Sequence, residues 1–201
     1  MSFSRRAFIV GLPLFMAGCT SSRYASYGAL HDERFPIAAI PFSEIKPELR
    51  RTEVAYSSSQ PAGTIVVNTP ERRLYYVLGN GRAVRYGIGV GREGLALQGN
   101  ATIGRKAEWP SWTPTPNMMR RDPRNLKYAG GVPGGPSNPL GARALYLYRG
   151  GRDTMFRIHG TNQPKTIGGA VSSGCVRMMN HDVIDLYQRV QPGTKVVVIQ
   201  A

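Results

Sequence analysis

The chain has 201 residues, enough for one domain with a leader or tail and too few for a multidomain assembly. With 41% apolar residues alongside 24 Gly and 15 Pro, the composition excludes a disordered chain and favours a turn-rich, mostly β domain. Lys and Arg outnumber Asp and Glu by 26 to 12, a formal net charge of +14, which suits an anionic polymer or lipid surface; no nucleic-acid motif or zinc-ligand spacing accompanies it, so no nucleic-acid partner is expected.

Residues 1–18 read as an export signal: Arg5 and Arg6 form a basic start, an apolar run follows from Ala7 to Ala17, and small residues close it. The run is shorter than the roughly 20 residues that span a bilayer. Ser4-Arg5-Arg6-Ala7-Phe8-Ile9 resembles a twin-arginine signal, and Met16-Ala17-Gly18-Cys19 resembles a lipobox with methionine in place of the usual leucine. In a lipobox cleavage precedes the cysteine, so Cys19 would carry a lipid and the protein would sit in the periplasm on a membrane anchor. Cys175 is then the sole thiol of an exported domain, either as a reactive group or as a buried inert side chain.

Residues 19–62 read as a tether and N-terminal extension without sustained periodicity, in which the apolar residues from Phe35 to Phe42 are suited to docking on the domain. His31 lies here and receives no role. The domain, residues 63–201, opens as a β-meander with runs Thr64–Asn68, Arg73–Leu78 and Ala83–Val90, the last two joined by Asn80-Gly81, a strong hairpin signal. Gly89, Gly91 and Gly94 match a dinucleotide-binding fingerprint with Glu108 downstream, but Leu95 to Asn100 leads to another turn instead of a helix and Glu108 precedes Trp-Pro instead of ending a strand. The stretch is therefore read as a loop between strands.

Trp109 to Met118 sets two tryptophans among three prolines, which forbids regular helix or central strand, and Tyr128 to Leu140 is again rich in Gly and Pro. Both read as long loops, able to wall a cleft. Strand patterns resume at Ala144–Tyr148, Met155–His159 and Lys195–Ile199. Between the last two, Asn180 begins a helix as its N-cap, with Val183, Leu186, Tyr187 and Val190 on one face and Pro192-Gly193 ending it.

A thiol becomes a good nucleophile as thiolate, and an adjacent imidazole accepts its proton. His159 closes a predicted strand, Cys175 follows after a Gly-rich loop, and Gly174 lets the backbone turn so that nearby amides face one oxygen. This is the outline of an acyl-transfer site.

His159-Gly160-Thr161, a loop, then Ser172-Ser173-Gly174-Cys175-Val176-Arg177-Met178 and Asn180 resemble the signature of the L,D-transpeptidases, the YkuD-type peptidoglycan enzymes. The resemblance runs from about Gly63 to Ile199. It implies a mostly β sandwich or barrel-like catalytic domain with one or two short helices. It implies Cys175 as nucleophile, His159 as general base, and Gly160 as the carbonyl that orients the imidazole. Amides near Ser173 and Gly174 would form the oxyanion hole, with Ser173 where many members have histidine. Arg177 either fixes the site or a substrate carboxylate, or sits in a structural ion pair.

His181 is expected at the surface of the helix start, and it and Asn180 as scaffold. The implied reaction is a cysteine thioester transfer from the third residue of a tetrapeptide stem to an amine, giving 3-3 cross-links or protein–peptidoglycan links, with no metal or organic cofactor. Stem peptides, and envelope proteins to be anchored, are the implied partners. The alternatives are an L,D-carboxypeptidase, with water as acceptor, and a non-catalytic peptidoglycan-binding envelope lipoprotein.

Overall fold

The computed structural model describes residues 26–31, 34–91, 97–172 and 174–200. The export signal with Cys19, Gly94 of the glycine fingerprint, and Ser173 lie outside the described residues. The strands are β1 (Leu30–His31), β2 (Pro36–Ile37), β3 (Thr52–Ala55), β4 (Ile65–Asn68), β5 (Arg73–Gly79), β6 (Arg82–Gly87), β7 (Val90–Gly91) and β8 (Gly99–Glu108), followed by helix α1 (Pro116–Arg121), then β9 (Arg143–Arg149), β10 (Arg152–His159), β11 (Ala170–Ser172), β12 (Val176–Arg177), helix α2 (Asn180–Arg189) and β13 (Lys195–Ile199).

Nine of these strands make one sheet in the order β12, β10, β9, β8, β13, β4, β5, β6, β3. Alternate strand positions point Ile65, Val67, Leu74, Ile103, Leu145, Leu147, Ile158 and Val196 into a single core. The sheet curls towards closure, because Gly89, just past β6, exchanges both backbone hydrogen bonds with Arg177 of β12 (2.9 and 2.8 Å). Strands near the two ends of the order therefore meet, and the architecture is mostly β and barrel-like with few helices.

Helix α2 contributes Val183, Leu186 and Val190 to the same core. It is tied to both halves of the sheet. Tyr86 of β6 donates its hydroxyl to Asp185 at 2.5 Å, and Lys106 of β8 donates to the Tyr187 and Val190 carbonyls at 2.8 and 2.7 Å, satisfying the open end of the helix.

The hairpin at Asn80-Gly81 is present, with both residues at positive φ (50° and 68°), as a two-residue turn that matches strand twist requires. Several other expectations are corrected. The ten-residue β8 ends at Glu108, so Glu108 does close a strand; the dinucleotide reading still fails, because Val90–Gly91 is strand where a helix start is needed. The proline loop is not free of helix: α1 starts at Pro116, where a missing N–H costs nothing, and Thr115 accepts from Met118 N–H as its cap. Met179, not Asn180, is the N-cap of α2. His181 is 3% exposed instead of lying at the surface.

The N-terminal segment is packed against the domain. Ile37 is buried with Trp109 and Ala142, Phe35 meets Trp109 edge-on at 5.0 Å, and Tyr27, Ile45 and Leu49 form a second cluster with Ile167 and Met179. Within the stretch read as extension, β3 pairs with β6 and becomes the last strand of the sheet.

Candidate active site

The site is assembled where β12 runs parallel to β10, with Ile158 opposite Val176 and His159 opposite Arg177. Parallel neighbours need a crossover, and the excursion from Gly160 to Cys175 supplies it. Ile158 and Val176 face the core, so strand alternation turns Arg157, His159 and Arg177 to the other face. Cys175 immediately precedes β12, half-buried. The guanidinium charges of Arg157 and Arg177 act on both His159 and Cys175, so these four groups share one neighbourhood.

His159 is 4% exposed, and its Nδ1 lies 2.6 Å from the Gly160 carbonyl oxygen. A carbonyl can only accept, so Nδ1 carries the proton and Nε2 keeps its lone pair. Burial pushes the imidazole down to about 4; the carbonyls of Gly160 and Leu140 oppose this by favouring the protonated ring, and the two arginines reinforce it. Burial pushes the Cys175 thiol up, against the opposing pull of a backbone hydrogen bond at Arg157 and the charges of Arg157 and Arg177. Burial thus favours the neutral form of each group, thiol and imidazole alike.

Gly174 adopts φ +123°, and a Cβ there would stand 3.1 Å from the Phe156 ring, so a side chain at this point is strained as well as crowded. Arg177 is half-buried, and burial lowers the affinity of its guanidinium for a proton while the facing Cys175 raises it. Its Nε has no hydrogen-bond partner among the described residues, and none of the ion pairs found among them includes it. Among the described residues no carboxylate pairs with Arg177. An apolar cleft of about 340 Å³ between Ile40–Leu49 and Pro164–Ile167 includes neither His159 nor Cys175. Among the described residues no three metal-ligating side chains converge.

A sequence model of the YkuD family, described as the L,D-transpeptidase catalytic domain, matches residues 62–198. The chain belongs to this family. It is 42% identical over 139 residues to the probable L,D-transpeptidase ErfK/SrfK of Escherichia coli strain K12, a match covering 67% of this chain and 43% of that protein. It thus spans less than half the length of this relative. Among solved structures, a probable carnitine operon oxidoreductase from Brucella melitensis is 52% identical, with a TM-score of 0.53, covering 77% of this chain and 96% of that one. The Ldtfm–avibactam carbamoyl enzyme superposes with a TM-score of 0.52 over 71% of this chain and 50% of that one at 17% identity, a likeness of fold alone.

Two groups near the imidazole escaped the reading of the sequence. Arg157 stands two residues before His159 on one strand, so the period of two was a usable signal. The Leu140 carbonyl had none, being a backbone atom nineteen positions away.

Proposed function

We propose that the protein is a peptidoglycan L,D-transpeptidase of the bacterial envelope, exported through the signal in residues 1–18 and held at a membrane by a lipid on Cys19. Support comes from family membership together with one observation in particular: the Nδ1–Gly160 carbonyl contact of 2.6 Å, which leaves Nε2 of a buried, neutral imidazole as the basic atom. That is the state a general base must be in before it takes a proton.

In the proposed reaction Cys175 Sγ attacks the carbonyl carbon of the third residue of a tetrapeptide stem as its proton passes to His159 Nε2. Backbone amides around Gly174, with Ser173 as a further member, stabilise the oxyanion. The C–N bond to the terminal D-alanine breaks, the leaving amine takes the proton from Nε2, and a thioester remains. An acceptor amine then attacks the thioester and gives its proton to Nε2. The C–S bond breaks, the proton returns to sulfur, and the product is a 3-3 cross-link or a protein–peptidoglycan bond. Gly160 orients the base throughout, and Arg177, half-buried without a carboxylate partner among the described residues, is suited to a substrate carboxylate.

Incubating the purified protein with tetrapeptide muropeptides and following the products by mass spectrometry tests this. Dimers lacking one D-alanine are expected with the wild type and none with Cys175→Ala. Loss of D-alanine without dimers would replace the reading with an L,D-carboxypeptidase, and unchanged products from the variant would remove Cys175 from the mechanism. No turnover, with retained binding to sacculi, would favour the non-catalytic lipoprotein.

A further inference from the structure

Asn180 is the first residue of α2, yet it does not cap that helix; the N-cap is Met179, with no side-chain hydrogen bond. Its side-chain oxygen is turned the other way. It accepts the backbone N–H of Ala142 at 3.0 Å and the backbone N–H of Thr161 at 3.2 Å. The two N–H groups come from loops that enter β9 and leave β10, 38 and 19 residues from Asn180 in sequence.

Both loops close tightly on this one oxygen. A Cβ added to Gly141 would lie 2.3 Å from it, and a Cβ added to Gly160 would lie 2.2 Å from it. A side chain at Gly160 would have to displace the Asn180 oxygen, and Gly141 is held to glycine as well by its φ of +62° and by the Thr161 and Gly160 backbone atoms 2.4 and 2.6 Å from such a Cβ.

The consequence follows from peptide geometry. The Thr161 N–H and the Gly160 carbonyl belong to one planar trans unit and point in opposite directions. Fixing the N–H on Asn180 therefore fixes the direction of the carbonyl, and that carbonyl is the one 2.6 Å from His159 Nδ1. The other side of the same glycine is pinned as well, since Gly160 N–H donates to the Arg143 carbonyl at 3.0 Å. The Ala142 bond meanwhile holds the loop whose Leu140 carbonyl also faces the imidazole.

We propose that Asn180 is a positioning residue for the catalytic base, locking the Gly160–Thr161 peptide so that its carbonyl holds His159 as the Nδ1–H tautomer with Nε2 turned to the reacting thiol. The proposal rests on His159 serving as base in the reaction above. It gives Asn180 the part that a carboxylate plays in a serine-protease triad, acting here through a peptide plane instead of by direct contact.

The test combines the histidine tautomer, read by long-range ¹⁵N–¹H correlation spectra of the ¹⁵N-labelled protein with His159→Gln for assignment, with steady-state kinetics and the pH dependence of Cys175 alkylation by iodoacetamide. The wild type is expected to show His159 as Nδ1–H, and an Nε2–H signal would overturn the proposal before any variant is made. Asn180→Ala and the isosteric, acceptor-free Asn180→Leu are expected to mix the tautomers and shift the alkylation profile. They should also lower kcat by roughly 10-fold to 100-fold with KM little changed, as a base in the wrong tautomer does. Asn180→Asp, which keeps an acceptor oxygen, is expected to retain the Nδ1–H form.

A folded Asn180→Ala or Asn180→Leu protein with the wild-type tautomer and alkylation profile would sink the proposal. The spectra and the alkylation use no peptidoglycan, so an inert protein in the muropeptide assay would count against the proposed reaction while leaving the tautomer result standing.

Discussion

Two buried histidines, His159 at the end of β10 and His181 in the first turn of α2, look alike in several respects. Both are nearly inaccessible, at 4% and 3% exposure; burial lowers the proton affinity of both; and each meets one backbone carbonyl, Gly160 at 2.6 Å and Gly28 at 2.8 Å. Their neighbours separate them. His159 shares its surroundings with the Cys175 thiol and two guanidiniums, whereas His181 packs edge-on against Tyr27 at 5.6 Å and its Nδ1 is buried with no hydrogen-bond partner among the described residues. A displaced pKa marks burial, and only the company of a nucleophile turns burial into catalysis.

The His181 side of α2 works as a clasp. Tyr27 donates its hydroxyl to the fully buried Asp182 at 3.3 Å and accepts Arg51 N–H at 2.7 Å, while Arg51 Nη1 lies 3.8 Å from Asp182 and 3.5 Å from Asp185. This network fastens Tyr27 and Arg51 to the helix whose first residue is Asn180.

The comparison breaks most sharply under substitution. His159→Ala is expected to cut turnover by about 10²- to 10⁴-fold, the usual worth of a general base. His181→Ala should keep turnover within a few-fold while lowering stability by roughly 1–3 kcal/mol, the scale of a lost buried hydrogen bond and its packing; parallel activity assays and thermal melts distinguish them. A His181 variant as inactive as the His159 variant would erase the distinction.

The second contrast lies in pH. In the proposed reaction neutral His159 takes the proton, so with its value near 4 the acid limb of the turnover profile is expected near pH 4 to 5 instead of at the ordinary histidine value. A limb near 6.5 would contradict the buried setting.

On the clasp side the sign is set by Asp182, which burial raises to about 7 against the partial relief of Arg51 and Tyr27. Its folded value lies above its ordinary one of 3.8. The folded state therefore binds the proton more tightly, and this stabilisation is complete below about pH 4 and drains away as pH rises through about 7. Melting temperatures of wild type and Asp182→Asn should converge at acid pH, with the variant holding its value better towards neutrality. A wild type that gains relative to the variant on the same rise would reverse the assignment.

The smallest effect belongs to Tyr27→Phe, which leaves the Arg51 N–H and Asp182 each short of a partner. A loss of about 1–2 kcal/mol in denaturant unfolding is expected, with turnover intact; no loss would mean that the clasp bears no weight.

What could be read in one dimension was what short-range chemistry dictates. The Asn80-Gly81 turn, the flanking β runs and the apolar face of Val183, Leu186 and Val190 depend on neighbours within a few residues, and the structure has them. The His159 and Cys175 segments were legible because their residue types are rare in this chain and match the family whose model covers residues 62–198. Strand β8 was missed because Gly99-Asn100 reads as a turn and an irregularity between Ile103 and Arg105 breaks its alternation. Its strand character comes from pairing with β9 and β13.

Asn180 shows the limit most plainly. As an amide at the start of a helix it satisfied the local rule for a cap, and the sequence by itself determined only that α2 begins there. Which backbone groups its oxygen serves was decided when the curled sheet brought Ala142 and Thr161 to it. Likewise, the composition of residues 19–62 suggested a tether with apolar residues from Phe35 to Phe42 suited to docking, while burial of Tyr27 and Leu49 as well as Ile37 is a matter of tertiary packing. Local propensity acts over a turn or two of chain, whereas the hydrogen bonds that gather two loops on Asn180 and the apolar contacts that fasten a segment join residues tens to more than a hundred positions apart, and these exist only once the sheet has curled.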